Sequence, residues 1–181
     1  MTGFQEAVEG LSRATEARLL VLFDQWVAGE LDTVLFEAQA VALIGRARLQ
    51  ALGVADLSLA AAVSVREGRA VPALGLRLPG GDLERLAKGL RTLTTATEEG
   101  LRDRVARLGR SEPAQAAQDG FIDGMRVRRV PGFTRTLNPD ACQLCVWLRK
   151  EGYVYPADAN FHKHTGCLCV PSPAWRYERA Y

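Results

Sequence analysis

The sequence predicts a mainly α-helical fold with a small, cysteine-rich α+β subdomain at its C-terminal end. Apolar residues recur at helical spacing through the first two-thirds of the chain, and this helical period stops after Gly124. All four cysteines of the chain follow that point, between Cys142 and Cys169. We therefore expect a helical region over residues 1–125 and a small Cys/His subdomain over residues 126–181.

The composition is typical of a globular protein with one domain, or one domain and a small appendage. The chain has 181 residues, of which 48% are hydrophobic and 24% charged. No uninterrupted apolar run approaches about 20 residues, so no membrane span is expected. The net charge of +2 does not by itself favour nucleic acid. Residues 126–181 nevertheless hold 9 Lys/Arg against 4 Asp/Glu, whereas residues 1–66 hold 5 against 8.

The first elements are predicted to be amphipathic helices. Apolar side chains at steps of three and four predict a helix over residues 4–26, which Gly29 ends. Asp32 is placed to cap a second helix, which Gly53 is expected to end. This second helix is apolar around much of its circumference, so we expect it to be central or to pack against a partner chain. A short third helix is predicted over residues 57–65.

A loop and two further helices are predicted next. Glycines and prolines punctuate residues 68–81, which predicts a loop. Asp82 is placed to cap a long helix, which Gly109 is expected to stop. Residues 111–113 then predict the start of another helix, because proline is favoured in a first helical turn.

Short strands and turns are predicted for the last part of the chain. Alternation over residues 125–130 predicts a strand, and residues 133–137 can form a second extended segment. A short helix is predicted over residues 145–150, and residues 152–155 are β-like. The prolines within residues 171–173 are expected to exclude regular structure there.

The soft metal ligands of the chain are all collected in this C-terminal part. Cys142-x2-Cys145 is followed by 16 residues and then by H-x-H-x2-C-x-C. Zn²⁺ prefers thiolate and imidazole ligands in a tetrahedron. Two cysteines separated by two residues can direct both sulfurs at one point, whereas a C-x-C pair does so only on extended backbone. The ligand sets that fit are the four cysteines, or Cys142 and Cys145 with His164 and one or both of Cys167 and Cys169.

Other chemistries of these residues are less favoured. His162 is the less favoured of the two histidines as a ligand. Buried free thiols are one alternative to a zinc site. Disulfides are disfavoured because the N-terminal residues lack the apolar segment of a signal peptide. A redox role for Cys142 and Cys145 is weaker still, because no βαβ unit surrounds them. A zinc knuckle would also stabilise a tail that has few large aliphatic residues and many turns.

Four motifs of this tail resemble the C-terminal domain of phage Mu protein F-like minor head proteins, the phage head morphogenesis family. They are Thr134-Arg-Thr136, Asp140-x-Cys142-x2-Cys145, Gly152-Tyr-Val-Tyr155, and His164-x2-Cys167-x-Cys169 followed by prolines. The hallmark of the family is a C-x2-C knuckle, a loop, and then His-Pro-Asn-Cys-x-Cys. The resemblance covers roughly residues 130–173, and short versions of the family occur in phages of actinobacteria.

This resemblance implies a structural protein of the virion. A family member would be assembled in the host cytoplasm as a minor capsid component, associated with the portal or the inner face of the capsid. Its expected partners are other head proteins, such as the portal and the major capsid protein, and packaged DNA is a further candidate. No membrane partner is expected.

A zinc-containing nucleic-acid-binding module is the alternative function. Basic and aromatic residues are interleaved in the tail, a pattern that suits phosphate contacts and single strands. The competing interpretation places Trp147, Tyr153 and Tyr155 in a small core around the zinc. Enzyme activity is not expected, because the sequence lacks H-E-x-x-H, G-x-S-x-G, a Walker loop, and H-x-E ahead of the knuckle.

Overall fold

The computed structural model describes residues 3–95 and 100–175, and these residues confirm a mainly helical fold. Four long helices form the body, and a fifth short helix and a three-stranded antiparallel sheet lie in the C-terminal part. The elements are α1 (Gly3–Val27), α2 (Thr33–Glu67), α3 (Asp82–Thr94), α4 (Leu101–Val127), β1 (Gly132–Thr136), α5 (Gln143–Arg149), β2 (Tyr155–Pro156) and β3 (Val170–Ala174).

The second helix is longer than its glycine predicts. It runs without a break through Gly53, so the predicted stop there and the separate helix over residues 57–65 are wrong. A Cβ at Gly53 would meet nothing within 4 Å, so this glycine weakens the helix slightly without ending it. The start is as predicted, because the Asp32 carboxylate accepts the Leu35 N–H at 2.7 Å. Gly68 ends the helix with a φ of 67°.

The fourth helix corrects the predicted boundary at Gly109. α4 continues through Gly109 and Pro113, so neither the stop nor the new helix start over residues 111–113 exists. A Cβ at Gly109 would lie 2.9 Å from the Cα of Glu16, so glycine allows α4 to approach the backbone of α1 closely. The long helix predicted from Asp82 is instead α3 followed by α4, and residues 96–99 between them lie outside the described part.

Substituting Gly109 with alanine should destabilise the protein by about 1–3 kcal/mol, because the new methyl group has no room beside the backbone of α1. Gly53→Ala is the matched control. Its Cβ enters open space, and alanine favours a helix interior by roughly 0.5–1 kcal/mol over glycine. Urea unfolding of both variants should therefore give midpoint shifts of opposite sign. Equal shifts would refute the close α1–α4 approach.

Two apolar clusters fill the body, and one of them reaches the C-terminal sheet. The first cluster combines Val8 of α1, Leu59 of α2 and Phe121 of α4 with Phe133 of β1 and Leu168. The second lies among α1, α2, α3 and α4 and does not include the sheet. The tail is therefore anchored on the helices by a shared core rather than by the cysteines alone.

The loop over residues 69–81 crosses α2 and α4 in an ordered path. The Asp56 carboxylate of α2 accepts the backbone N–H groups of Leu74, Gly75 and Leu76 at 2.9, 2.7 and 3.2 Å. Arg128 donates to the Pro72 carbonyl from the other side. The predicted loop is confirmed, and four of its polar backbone groups are bonded by two charged side chains distant in sequence.

The sheet has the order β2-β1-β3 and corrects two sequence predictions. Residues 125–130 do not form a strand, because α4 extends to Val127. Residues 171–173 do form one, because β3 pairs with β1 in a register that places Pro171 opposite Arg135 and Pro173 opposite Phe133. Proline is tolerated here because β3 is an edge strand, where a missing N–H on the outer side breaks no ladder bond.

Candidate metal centre

The local backbone explains why four cysteines can meet. Cys142 is the N-cap of α5, with φ −68° and ψ 162°, and Cys145 lies one turn later on the same helix side. Cys167 and Cys169 lie in an extended segment that leads into β3, so residues two apart share one side. Their sulfurs join Cys145 in one buried cluster, while Leu168 between them enters the main core.

The donor atoms are close enough for one ion. His164 Nε2 lies 3.1 Å from Cys142 Sγ and 3.4 Å from Cys145 Sγ, and Cys145 Sγ lies 3.5 Å from Cys167 Sγ. A tetrahedral zinc with Zn–S near 2.3 Å would give sulfur–sulfur edges of about 3.8 Å and sulfur–nitrogen edges of about 3.6 Å. The observed spacings are a few tenths of an ångström shorter, so this Cys/His cluster can hold a metal ion.

The structure brings all five predicted ligands into two overlapping groups. One group contains Cys142, Cys145 and His164, the other Cys145, Cys167 and Cys169, and the donor atoms within each lie within 4.8 Å of one another. Cys145 belongs to both groups and is 1% exposed. His162 is in neither group, and its backbone carbonyl instead accepts a hydrogen bond from Arg135.

The cysteines are free thiols rather than disulfides. All four are unpaired, and the 3.5 Å between the sulfurs of Cys145 and Cys167 far exceeds a disulfide bond of about 2.05 Å. The sulfurs therefore remain available as ligands.

The buried thiols compete for negative charge. Burial, together with the charge of Cys167, raises the pKa of Cys145 to about 11. A hydrogen bond with Cys169 lowers the pKa of Cys167 to about 5, and the same contact, with burial, raises the pKa of Cys169. One thiolate is thus favoured at the expense of its neighbours. A divalent cation would remove this competition, because its charge favours the thiolate form of every ligand.

The outer two donors have shifted pKa values for different reasons. The backbone N–H of Cys145, at the start of α5, lowers the pKa of the exposed Cys142 thiol. Burial of the His164 ring lowers its pKa, but the Thr165 carbonyl and the nearby thiolates outweigh burial and raise it overall. His164 Nδ1 lies 3.1 Å from that carbonyl, which selects the tautomer that leaves Nε2 free toward the sulfurs.

The helical body holds the second cysteine pair in place. Gln118 of α4 is 1% exposed, and its Nε2 donates to the carbonyls of Cys167 and Cys169 at 3.0 and 2.7 Å. The backbone N–H of Asn138 points at Cys169 Sγ at 3.4 Å, and Arg135 Nη1 at Cys145 Sγ at 3.7 Å. The sequence does not identify Gln118 as a residue that supports the site, because it is one polar residue in an alanine-rich helical stretch and belongs to no motif.

Substituting Gln118 with leucine should weaken metal binding by about 10–100-fold, the range for residues that orient ligands without touching the metal. The change leaves two buried carbonyls without their donor, which loosens the backbone that carries Cys167 and Cys169. Gln115→Leu on the same helix is the control, because Gln115 is only half-buried and touches neither cysteine. Competition with a metal-binding dye would measure both affinities, and equal values would argue against this anchoring role.

The aromatic residues near the cluster divide into two kinds. Tyr155 stacks on Phe133 with ring centroids 5.3 Å apart and meets Tyr153 edge-on at 4.7 Å. The Tyr155 hydroxyl also donates to the Leu148 carbonyl. Trp147, in contrast, is 66% exposed on α5. The predicted aromatic core around the metal is wrong, because the cysteine cluster packs against Leu137 and Ala141, whereas Tyr155 packs against the main core.

Comparison with known proteins found no matching family model, no similar curated protein and no similar solved structure. The functional argument therefore depends on the site and the surface of this chain.

Proposed function

We propose that this chain is a minor structural protein of a phage head. In this proposal a zinc ion stabilises the C-terminal subdomain of residues 126–181, and the helical region of residues 1–125 contacts the portal or the inner capsid. The observation that carries the proposal is the position of the Cys/His cluster, since its donors belong to the motifs that resemble the minor head proteins. The motif Thr134-Arg-Thr136 lies on the central strand beside it.

Zinc is the metal that the donor set favours. The five candidate donors are four sulfurs and one imidazole, and magnesium and calcium prefer oxygen ligands. A sulfur-rich tetrahedron is typical of structural zinc, whereas catalytic zinc keeps an open position and fewer thiolates. Every ligand combination that fits retains Cys145, so this residue is the key ligand of the proposed centre.

The surface of α2 supports contact with other chains. Leu49, Leu57 and Val65 of α2 are 54%, 64% and 86% exposed, while other residues of the helix lie in the core. By length and composition α2 is apolar enough to cross a membrane, a test that the core helix of a bundle also passes. We propose that these exposed apolar side chains belong to the contact with other head proteins.

The combined change Leu49→Glu and Leu57→Glu should leave the fold and the metal content intact but lower incorporation into phage heads at least about tenfold. The reason is that two carboxylates would have to be desolvated in the proposed contact. Gln50→Glu is the control for added charge on an exposed position of the same helix. Quantitative mass spectrometry of purified heads measures incorporation. Absence of the wild-type chain from intact heads would contradict the proposed function, whatever the variants do.

A further inference from the structure

A cavity of about 410 Å³ lies beside the metal centre. The cavity is lined by residues 134–136 of β1, by Leu137, which follows the strand, and by Arg149, Gly152 and Tyr153. Pockets for small ligands usually measure about 300–1,000 Å³, so this cavity is large enough to hold a small ligand.

The walls of the cavity are rich in donors to an anion. The lining residues include two arginines, two threonines and one tyrosine, whose side chains carry hydrogen-bond donors. None of the described residues that line the cavity is acidic. Glu151 is near in sequence, but it lies exposed in the turn after α5 and is not part of the lining.

The two arginines differ in burial. Arg135 is 5% exposed, and its guanidinium is fixed 4.0 Å over the ring of Phe161 while it donates to the His162 carbonyl. It therefore supplies a positive charge that is already in place. Arg149 is exposed at the end of α5, and within the described residues it has no carboxylate partner.

Two other basic residues of the C-terminal part form ion pairs. Arg126 lies 3.0 Å from Asp123, and Lys163 forms an ion pair with Asp119. Lys150, next to Arg149, lies 5.1 Å from the ring of Tyr153 and has no ion pair among the described residues. Arg149 and the neighbouring Lys150 thus place positive charge without an ion-pair partner, within the described residues, at the C-terminal end of α5.

We propose that this cavity binds the phosphodiester of a single-stranded nucleic acid. Arg149 would contact the phosphate oxygens, the buried Arg135 would add positive charge behind the cavity wall, and the ring of Tyr153 would offer an aromatic face to a base. A recessed site with one aromatic wall suits a flexible single strand, which can present its phosphate and an unstacked base together. Proteins contact the bases of a DNA duplex with elements that enter its grooves, whereas this site is a recess in the protein surface. The inference does not depend on the assignment to a phage head.

Binding of a short fluorescent oligothymidylate to the full-length, metal-loaded protein tests the proposal. Arg149→Gln should weaken binding about tenfold at low salt and should make the salt dependence less steep by about one phosphate contact. Arg129→Gln is the matched control, because Arg129 is an exposed arginine of the same segment that does not line the cavity. Helical circular dichroism and metal content should be unchanged in both variants.

A second pair of variants tests the aromatic wall. Tyr153→Leu should weaken oligothymidylate binding about tenfold, whereas Tyr153→Phe should bind like the wild type, because base stacking needs the ring and not the hydroxyl. A duplex of the same length should bind more weakly and should not distinguish these two variants.

Several results would overturn the proposal. They are no oligothymidylate binding at low salt, equal losses for Arg149→Gln and Arg129→Gln, or equal binding by Tyr153→Leu and Tyr153→Phe. Binding of inorganic phosphate with no binding of the oligonucleotide would also exclude the single strand as the ligand. Because metal content is measured in every sample, loss of the metal centre is distinguishable from failure of this cavity to bind.

Discussion

Replacing Cys145 with serine should abolish metal binding and unfold the C-terminal segment, while most of the helical content remains. Cys145 belongs to both donor groups, and its sulfur is buried. Serine would leave a poor ligand at the centre of the cluster. Structural zinc contributes about 10–16 kcal/mol in small zinc-dependent folds, so the tail should lose its main source of order. The helices retain a separate apolar cluster that does not include the sheet.

Metal analysis, far-UV circular dichroism and hydrogen exchange would measure this outcome. Exchange should rise over residues 132–175 and change little where α1, α2 and α3 line the second apolar cluster. Cys142→Ser should act in the same direction. Leu144→Ser is the control, because Leu144 is 40% exposed on the same short helix and offers no ligand. Retained metal in Cys145→Ser, or collapse of the whole helical signal, would contradict the proposed two-part organisation.

Replacing Arg48 with methionine should destabilise the body by about 3–5 kcal/mol, the usual cost of leaving buried charges without their partner. Arg48 of α2 is 6% exposed, and its guanidinium binds the Asp82 carboxylate at 2.7 and 3.0 Å. It also binds the carboxylate of Glu112, so one side chain joins α2, α3 and α4. Hydrogen bonding to Glu112 raises the pKa of Arg85, which covers the same two carboxylates from the surface.

Thermal unfolding would measure the effect as a decrease of roughly 6–20 °C in Tm for a chain of this size. Arg46→Met is the control, because Arg46 is exposed on the same helix and its loss should change stability by no more than about 0.5 kcal/mol. A decrease of only a few degrees in Arg48→Met would mean that Arg85 alone neutralises both carboxylates.

The features that the sequence predicts correctly depend on neighbours along the chain. The apolar stripe of α1, the Asp32 cap and the Gly68 end are local patterns, and the structure confirms each of them. The Cys/His cluster that could hold a metal ion was also predictable, because Cys142 and Cys145 have a C-x2-C spacing and the other soft donors lie in one short segment.

The wrong boundaries depend on neighbours that are distant in sequence. Gly53 and Gly109 look alike as helix stops, yet one faces open space and the other faces the backbone of α1. Pro171 and Pro173 are compatible with a strand only because β3 lies at the edge of the sheet. An edge position is a property of the assembled topology, so no local pattern predicts it.

The same reasoning explains the polar contacts that support the site. Gln118 reaches Cys169 across 51 residues of sequence, and Arg48 reaches Glu112 across 64. Each looks like an ordinary surface residue of a helix until the packing of the helices is known. These hydrogen bonds follow from the tertiary packing, because buried polar groups need hydrogen-bond partners.

Native mass spectrometry of the purified full-length chain tests the central claim most directly. The sulfur and imidazole donors around Cys145 predict one zinc ion per chain, lost together with the order of the tail when a chelator is added. A metal-free mass would contradict the claim, and a mass lowered by the hydrogens lost in disulfide formation would identify the alternative chemistry.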